Sequence, residues 1–202
     1  MRIEHRGEQP RIDPTAVVAP TAVLSGAVTL GPHVRVLHGA VLTAEGGPVE
    51  IGAYSIVMEG AVIRGTAHYP TQLGRHVLVG PRAYLSGCTV DDFAFLATGS
   101  TVFNGAVIGR GAEVRINGVV HLRTELAPEA TVPIGWVAVG KPARILPPNE
   151  HERIWAIQQP LDFPGTVFGL ERAAPEVLMA QLTERYGRAL AAHANDRVLD
   201  EQ

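Results

Sequence analysis

The side chains able to bind or react recur at a regular interval. Ser25, Thr43, Arg64, Ser86, Phe103 and His121 each follow an aliphatic residue, and successive members stand about eighteen positions apart. Glu45, Glu59, His68 and Tyr84 lie close to this series in the chain. A guanidinium grips carboxylate or phosphate through two parallel hydrogen bonds, with hydroxyl groups completing the contacts. A carboxylate held in a buried setting beside it acquires a raised pKa and serves as general acid or base.

These residues are positioned by a six-residue repeat. Aliphatic side chains occur at Ile12, Val18, Leu24, Leu30, Val36 and Leu42. After an insertion near EGGPVE they resume at Ile51, Val57 and Ile63, and after a second near HYPTQ at Leu73, Val79 and Leu85. One step, LSGCT, is a residue short, and the frame restarts at Val90 and runs to Val132. Small residues such as Ala22, Ala40, Ser55, Ala83 and Cys88 stand two positions before most of these. Six fits neither a helix nor an alternating strand. It fits a solenoid with three short sides per coil, each burying one aliphatic residue, with a small residue at each corner. Each buried aliphatic side chain contributes roughly 1.5–3 kcal/mol.

The residue after each aliphatic one falls into one of three columns. Gly31, Gly52, Gly74, Asp91, Gly109 and Ala127 form the first, whose glycines suit a corner of unusual φ. Ala19, Leu37, Met58, Gly80, Ala97, Arg115 and Pro133 form the second, and the reactive series is the third. Cys88, at a small-residue corner, reads as a buried, inert thiol.

The repeat occupies residues 1–147, and residues 148–202 read as a C-terminal helical extension. Asn149 and Glu152 have the spacing of a capping box, and Ile154, Trp155 and Ile157 give a short helix stopped by Pro160. LDFPGTVFG reads as an extended connection. Pro175 suits the first turn of a second helix, along which Leu178, Leu182, Tyr186 and Leu190 recur. One apolar stripe per helix predicts packing on the solenoid or on a neighbouring subunit.

Composition narrows the function. With 202 residues, 46% hydrophobic and 18% charged, the chain is of the soluble globular class. A net charge of −3 without a basic stripe argues against nucleic acid and membrane surfaces as partners. No apolar run approaches the roughly 18 residues of a membrane helix. A single cysteine excludes an intrachain disulfide and a cysteine-type zinc knuckle. The opening MRIEHRGEQPRIDP has no apolar segment of the signal-peptide kind, so a cytoplasmic location is expected.

The stretches RVLHGAVLTAEGGPVEIG, SIVMEGAVIRG, VLVGPRAYLSGCTV and PIGWVAVGKPARIL resemble, in order, successive blocks of gamma-class carbonic anhydrases, over roughly residues 10 to 150. The repeat itself is common to hexapeptide acyltransferases. The Gly-Cys after the short step and the closing GKPAR block narrow the resemblance to the carbonic anhydrase branch. It implies an all-β solenoid, a left-handed triangular parallel β-helix with C-terminal α-helices, assembled as a homotrimer. It also implies a metal held between two subunits by three histidines. The matching positions here are Arg64, Pro81 and Ser86. Zinc needs neutral imidazole or comparable donors, three of them in a catalytic site. Shifting the register by one coil gives Ser86, Thr98 and Phe103, again without histidine. Carbonic anhydrase activity is therefore not expected, and neither a metal nor another cofactor. Thr43, Ala44 and Glu45 stand where the family has Arg-Gly-Asp, and Met58 and Glu59 where it has glutamine and aspartate. Of the eight histidines, only His121 falls on the reactive column, while His68 lies in the second insertion.

The intersubunit cleft is thus expected to be lined by Thr43, Glu45, Glu59, Arg64, Tyr84 and Ser86, with His68 nearby. If Arg64 pairs with Glu45 or Glu59, it cements the trimer. If it is free, it clamps a small anionic ligand with Ser86 and Tyr84, and a neighbouring carboxylate makes metal-free catalysis possible. A third reading is acyl transfer from coenzyme A with His38, His68 or His121 as base, although no motif matches these positions. A closed polar cleft around Arg64 favours ligand binding or catalysis, and a large exposed apolar patch favours a scaffold.

Overall fold

A computed structural model describes residues 1–199. The repeat forms a left-handed parallel β-helix of about 8 turns. Its walls are three sheets of very short strands, and the register follows the three columns. One seven-stranded sheet stacks Ile12, Leu30, Ile51, Leu73, Val90, Ile108 and Leu126. A second stacks Val18, Val36, Val57, Val79, Leu96, Val114 and Val132. The third wall stacks Leu24, Leu42, Ile63, Leu85, Val102 and Val120, and belongs to a ten-stranded sheet. Apart from Ile12 and Val18, which are partly buried, these ladders point inward and are almost fully excluded from solvent, as are the small residues at the corners. Cys88 is among them, and burial pushes its thiol pKa up to about 12, so it is inert as expected.

The glycine column has a different cause from the one expected. Gly31, Gly52, Gly74 and Gly109 have no positive φ. They are small because the next coil passes too close for a side chain: a Cβ on Gly52 would lie 2.4 Å from the Gly74 carbonyl oxygen, and one on Gly109 2.4 Å from the Pro128 nitrogen. The left-handed corner is taken instead by ordinary residues, His33, Tyr54, His76 and Phe93 among them. Their rings stack along the edge at centroid separations of 4.6, 5.0 and 5.1 Å, and the Arg110 guanidinium lies 4.4 Å from the Phe93 ring. Side-chain stacking thus supports a conformation that costs non-glycine residues energy.

At the short step, Gly87 turns the chain at φ +56, and a Cβ there would lie 2.6 Å from that of Tyr69. The missing residue makes room for the second insertion, whose Thr66–Tyr69 turn folds over this corner.

Antiparallel strands cover both ends of the ten-stranded sheet. Arg144–Leu146 pairs with Val137–Val139 at one end, and Arg197–Leu199 pairs with Arg2–Glu4 at the other. These added strands cover the ends of that wall, while the two seven-stranded sheets end on their own first and last coil strands. Helix α1, His151–Gln158, packs Ile154 and Ile157 on Val139 and Leu146. No capping box forms: the helix begins one residue later than the motif requires, Glu150 is its N-cap, and Glu150 pairs with Arg153 instead. The LDFPGTVFG segment is not extended. Pro164–Phe168 makes a single wide π-type turn closed by Gly169 at φ +63. Helix α2, Pro175–Leu190, starts at its proline, and Leu178, Leu182, Tyr186 and Leu190 are its only residues that are not fully exposed. Among the described residues no helix is long and apolar enough to cross a membrane.

Candidate functional site

The reactive column is carried by the third wall. Arg64 lies in the strand Val62–Gly65 and stands beside Thr43 on one side and Ser86 on the other, because parallel register places equivalent repeat positions next to each other. Both residues face outward, away from Ile63 and Leu85, as strand alternation requires.

The extension covers this part of the wall and encloses a cavity of about 540 Å³. Arg64, Tyr84, Ser86 and Phe103 form its floor, the second insertion with His68 and Tyr69 forms one side, and Phe163, Phe168, Tyr186 and Leu190 form the cover. The cover is aromatic. Phe168 meets Tyr186 edge-on at 5.9 Å, and Phe163 meets Phe168 at 5.7 Å. Among the described residues, three guanidiniums, Arg6, Arg64 and Arg185, reach the cavity, against one carboxylate, Glu45.

Arg64 does not pair with Glu45 or Glu59 within the chain. Its Nη2 donates to the Tyr186 hydroxyl at 2.8 Å, while its Nε is buried without a hydrogen-bond partner. Burial opposes the charge of Arg64. The Tyr186 hydrogen bond and the pull of Tyr186, Tyr84 and Glu45 outweigh burial, so its pKa lies above that of a free arginine. Glu45 is engaged elsewhere: Thr43 Oγ1 donates to its Oε1 at 2.9 Å, and His193 Nε2 meets its Oε2 at 3.2 Å. Arg6 and Arg185 spend one arm each on the carbonyls of Ala189 and Gly169.

Of the residues expected at the cleft, Glu45, His68, Arg64, Tyr84 and Ser86 border one cavity. Thr43 is buried behind Glu45 and reaches the site only through it. Glu59 is exposed at the corner before Val62 and does not line the cavity, and neither does Pro81. His38 lies at a surface corner against Thr21, at 2.9 Å. His121 is partly buried on the same wall as Arg64, its Nδ1 has no partner, and burial lowers its pKa. It lies beyond Phe103, 6.0 Å between ring centroids, outside the cavity. The sequence reading missed Tyr186, Phe163, Phe168 and the two further arginines. Tyr186 stood in the apolar stripe of the second helix, but nothing local showed which wall that helix would cover.

No protein-family model matches the chain. It is 31% identical over 157 residues to gamma carbonic anhydrase 1, mitochondrial, of Arabidopsis thaliana, covering 74% of this chain and 54% of that protein. A probable carbonic anhydrase of Methanocaldococcus jannaschii is 30% identical over 142 residues, which is 70% of this chain and 86% of the archaeal one. The chain thus spans about half the length of the plant protein and most of the archaeal one. Among solved structures, a putative acetyltransferase of Bacillus cereus superposes with a TM-score of 0.62 over 95% of this chain and 94% of its own, at 19% identity, which speaks for the fold alone. With a shared solenoid and this level of identity, the chain belongs to the gamma carbonic anhydrase-like family of hexapeptide-repeat proteins.

Proposed function

We propose that this chain is a homotrimeric family member without the family's three-histidine metal site, and that it binds a small organic anion at Arg64 without catalysing a reaction. The observation that carries this reading is the buried, unpartnered Nε of Arg64 in a cavity rich in guanidinium and aromatic groups. A buried donor left unpaired costs about 1–3 kcal/mol, and a carboxylate or phosphate oxygen would recover that through a charge-assisted bond. The aromatic cover suits an anion with an apolar or aromatic body.

The residues at the family's ligand positions do not fit zinc. Arg64 presents a cation, held toward Tyr186, and Pro81 has no ligating atom in its side chain and does not line the cavity. Ser86 alone offers a hydroxyl. Binding is favoured over metal-free catalysis because Glu45, the one carboxylate at the cavity among the described residues, is tied to Thr43 and His193. Assembly is supported by exposed apolar residues on adjacent parts of the solenoid, Val17 and Ile56 on one sheet with Tyr54 and Phe93 on the neighbouring corner. A cytoplasmic location remains part of this reading.

The test is calorimetric titration with a panel of aryl and alkyl carboxylates and inorganic phosphate, repeated on Arg64→Ala. At least one anion should bind the parent chain and lose about tenfold or more in affinity on removal of the guanidinium. A CO2 hydration assay with zinc supplied should give no rate above background. If no anion binds, or if binding ignores the substitution, the reading fails.

A further inference from the structure

The two chain ends meet at a cluster that the six-residue repeat does not explain. His5 follows the first strand, Arg2–Glu4, and is 1% exposed. His193 comes from the turn after α2, and the two imidazoles stack with centroids 4.4 Å apart. Asp196 bridges both rings, its Oδ1 2.6 Å from His5 Nδ1 and its Oδ2 2.8 Å from His193 Nδ1. Glu45 closes the group from the solenoid wall, 3.2 Å from His193 Nε2. One nitrogen of each histidine and one Glu45 oxygen all fall within 4.8 Å of one another, the one such grouping among the described residues.

We propose that His5, His193 and Glu45 form a binding site for a divalent transition-metal ion of the zinc type, with Asp196 orienting both histidines. A carboxylate that accepts the Nδ1–H of an imidazole fixes the tautomer that leaves the Nε2 lone pair free, and a single aspartate does this here for two rings. Two imidazoles and one carboxylate are a donor set that zinc accepts, with a fourth position left to water. Two nitrogen donors select against calcium and magnesium, which prefer oxygen. His5 Nε2 now faces the Nε of Arg6 at 3.1 Å. Arg6 is exposed, so its guanidinium can swing away when the ion enters. The ion would join the first coil, the wall strand and the C-terminal segment, and would make the docking of the extension dependent on metal.

The sequence reading looked for three histidines on the solenoid wall and expected no metal. It had no means of pairing residue 5 with residue 193. The proposed site uses none of the family's ligand positions and does not require an anion in the cavity.

The test uses the full chain, stripped with chelator and titrated with zinc and cobalt(II), with elemental analysis for stoichiometry and the visible cobalt spectrum for coordination. One ion per chain is expected. Asp196→Asn should weaken binding by about 10–100-fold, the usual effect of losing an orienting partner. His193→Ala and Glu45→Gln should weaken it further, and Arg6→Ala should tighten it several-fold. His5 is buried, so its replacement risks misfolding. The His193 side chain is 37% exposed, so His193→Ala, checked by circular dichroism, carries the decision. His121→Ala should leave binding unchanged. Less than one ion per chain, or affinity indifferent to His193→Ala and Glu45→Gln, would overturn the proposal.

Discussion

The solenoid and its C-terminal extension are held together in opposite ways. Along the walls, every coil repeats the same burial, with one aliphatic ladder per side and a core residue at each step. The extension buries little: Ile154 is the only buried residue of α1, and α2 has none. What fastens it is a small set of directed contacts, among them Arg64 with Tyr186, Arg6 with the Ala189 carbonyl, His5 with Asp196, Glu45 with His193, and a strand pairing with Arg2–Glu4. Dense, repetitive burial gives a rigid wall. A sparse cover laid over it leaves space, and the cavity lies where the two meet. Burial is therefore concentrated in the walls, and the cavity in the seam between wall and cover.

Four substitutions test this contrast, in order of expected effect. Leu85→Ala removes a fully buried rung near the middle of the third wall and should cost about 3 kcal/mol, read from the denaturant midpoint at fixed protein concentration. A loss under about 1 kcal/mol would mean that the ladder collapses around the gap and is less rigid than described. Gly52→Ala places a methyl group 2.4 Å from the next coil's backbone and should cost about 2 kcal/mol. Gly135→Ala, where φ is +67 and nothing lies within 4 Å of the added Cβ, should cost only about 1 kcal/mol of backbone strain. Thermal unfolding of the two variants side by side separates close approach from backbone conformation, and the reverse order would mean that the next coil moves aside to admit the methyl group. Tyr186→Phe removes the hydroxyl that holds Arg64 and should change global stability by no more than about 1 kcal/mol. Its effect should appear in hydrogen exchange, faster in α2 and unchanged in the walls. Uniformly faster exchange would show that the cover and the wall open as one unit.

Much of the solenoid was legible because each coil touches mainly the coils before and after it. Ile63 and Leu85 fell into one column by counting, and the parallel register places them side by side. The same counting put Arg64 next to Ser86. It gave the wrong reason for Gly52 and Gly74, since periodicity marks a position as small without saying whether conformation or a neighbouring backbone demands it. The α2 stripe was visible too, while the π-type turn at Pro164–Phe168 carried no periodic signal and was read as extended.

The sequence by itself therefore determined the coils, the three columns and the inert setting of Cys88, all of which follow from short-range repetition of residue size and polarity. Only the tertiary structure decided what covers Arg64 and what gathers at the chain ends. Tyr186 lies 122 residues from Arg64, and Asp196 lies 191 from His5. Those meetings depend on the path of a non-repeating connection between the two helices, which no local pattern encodes.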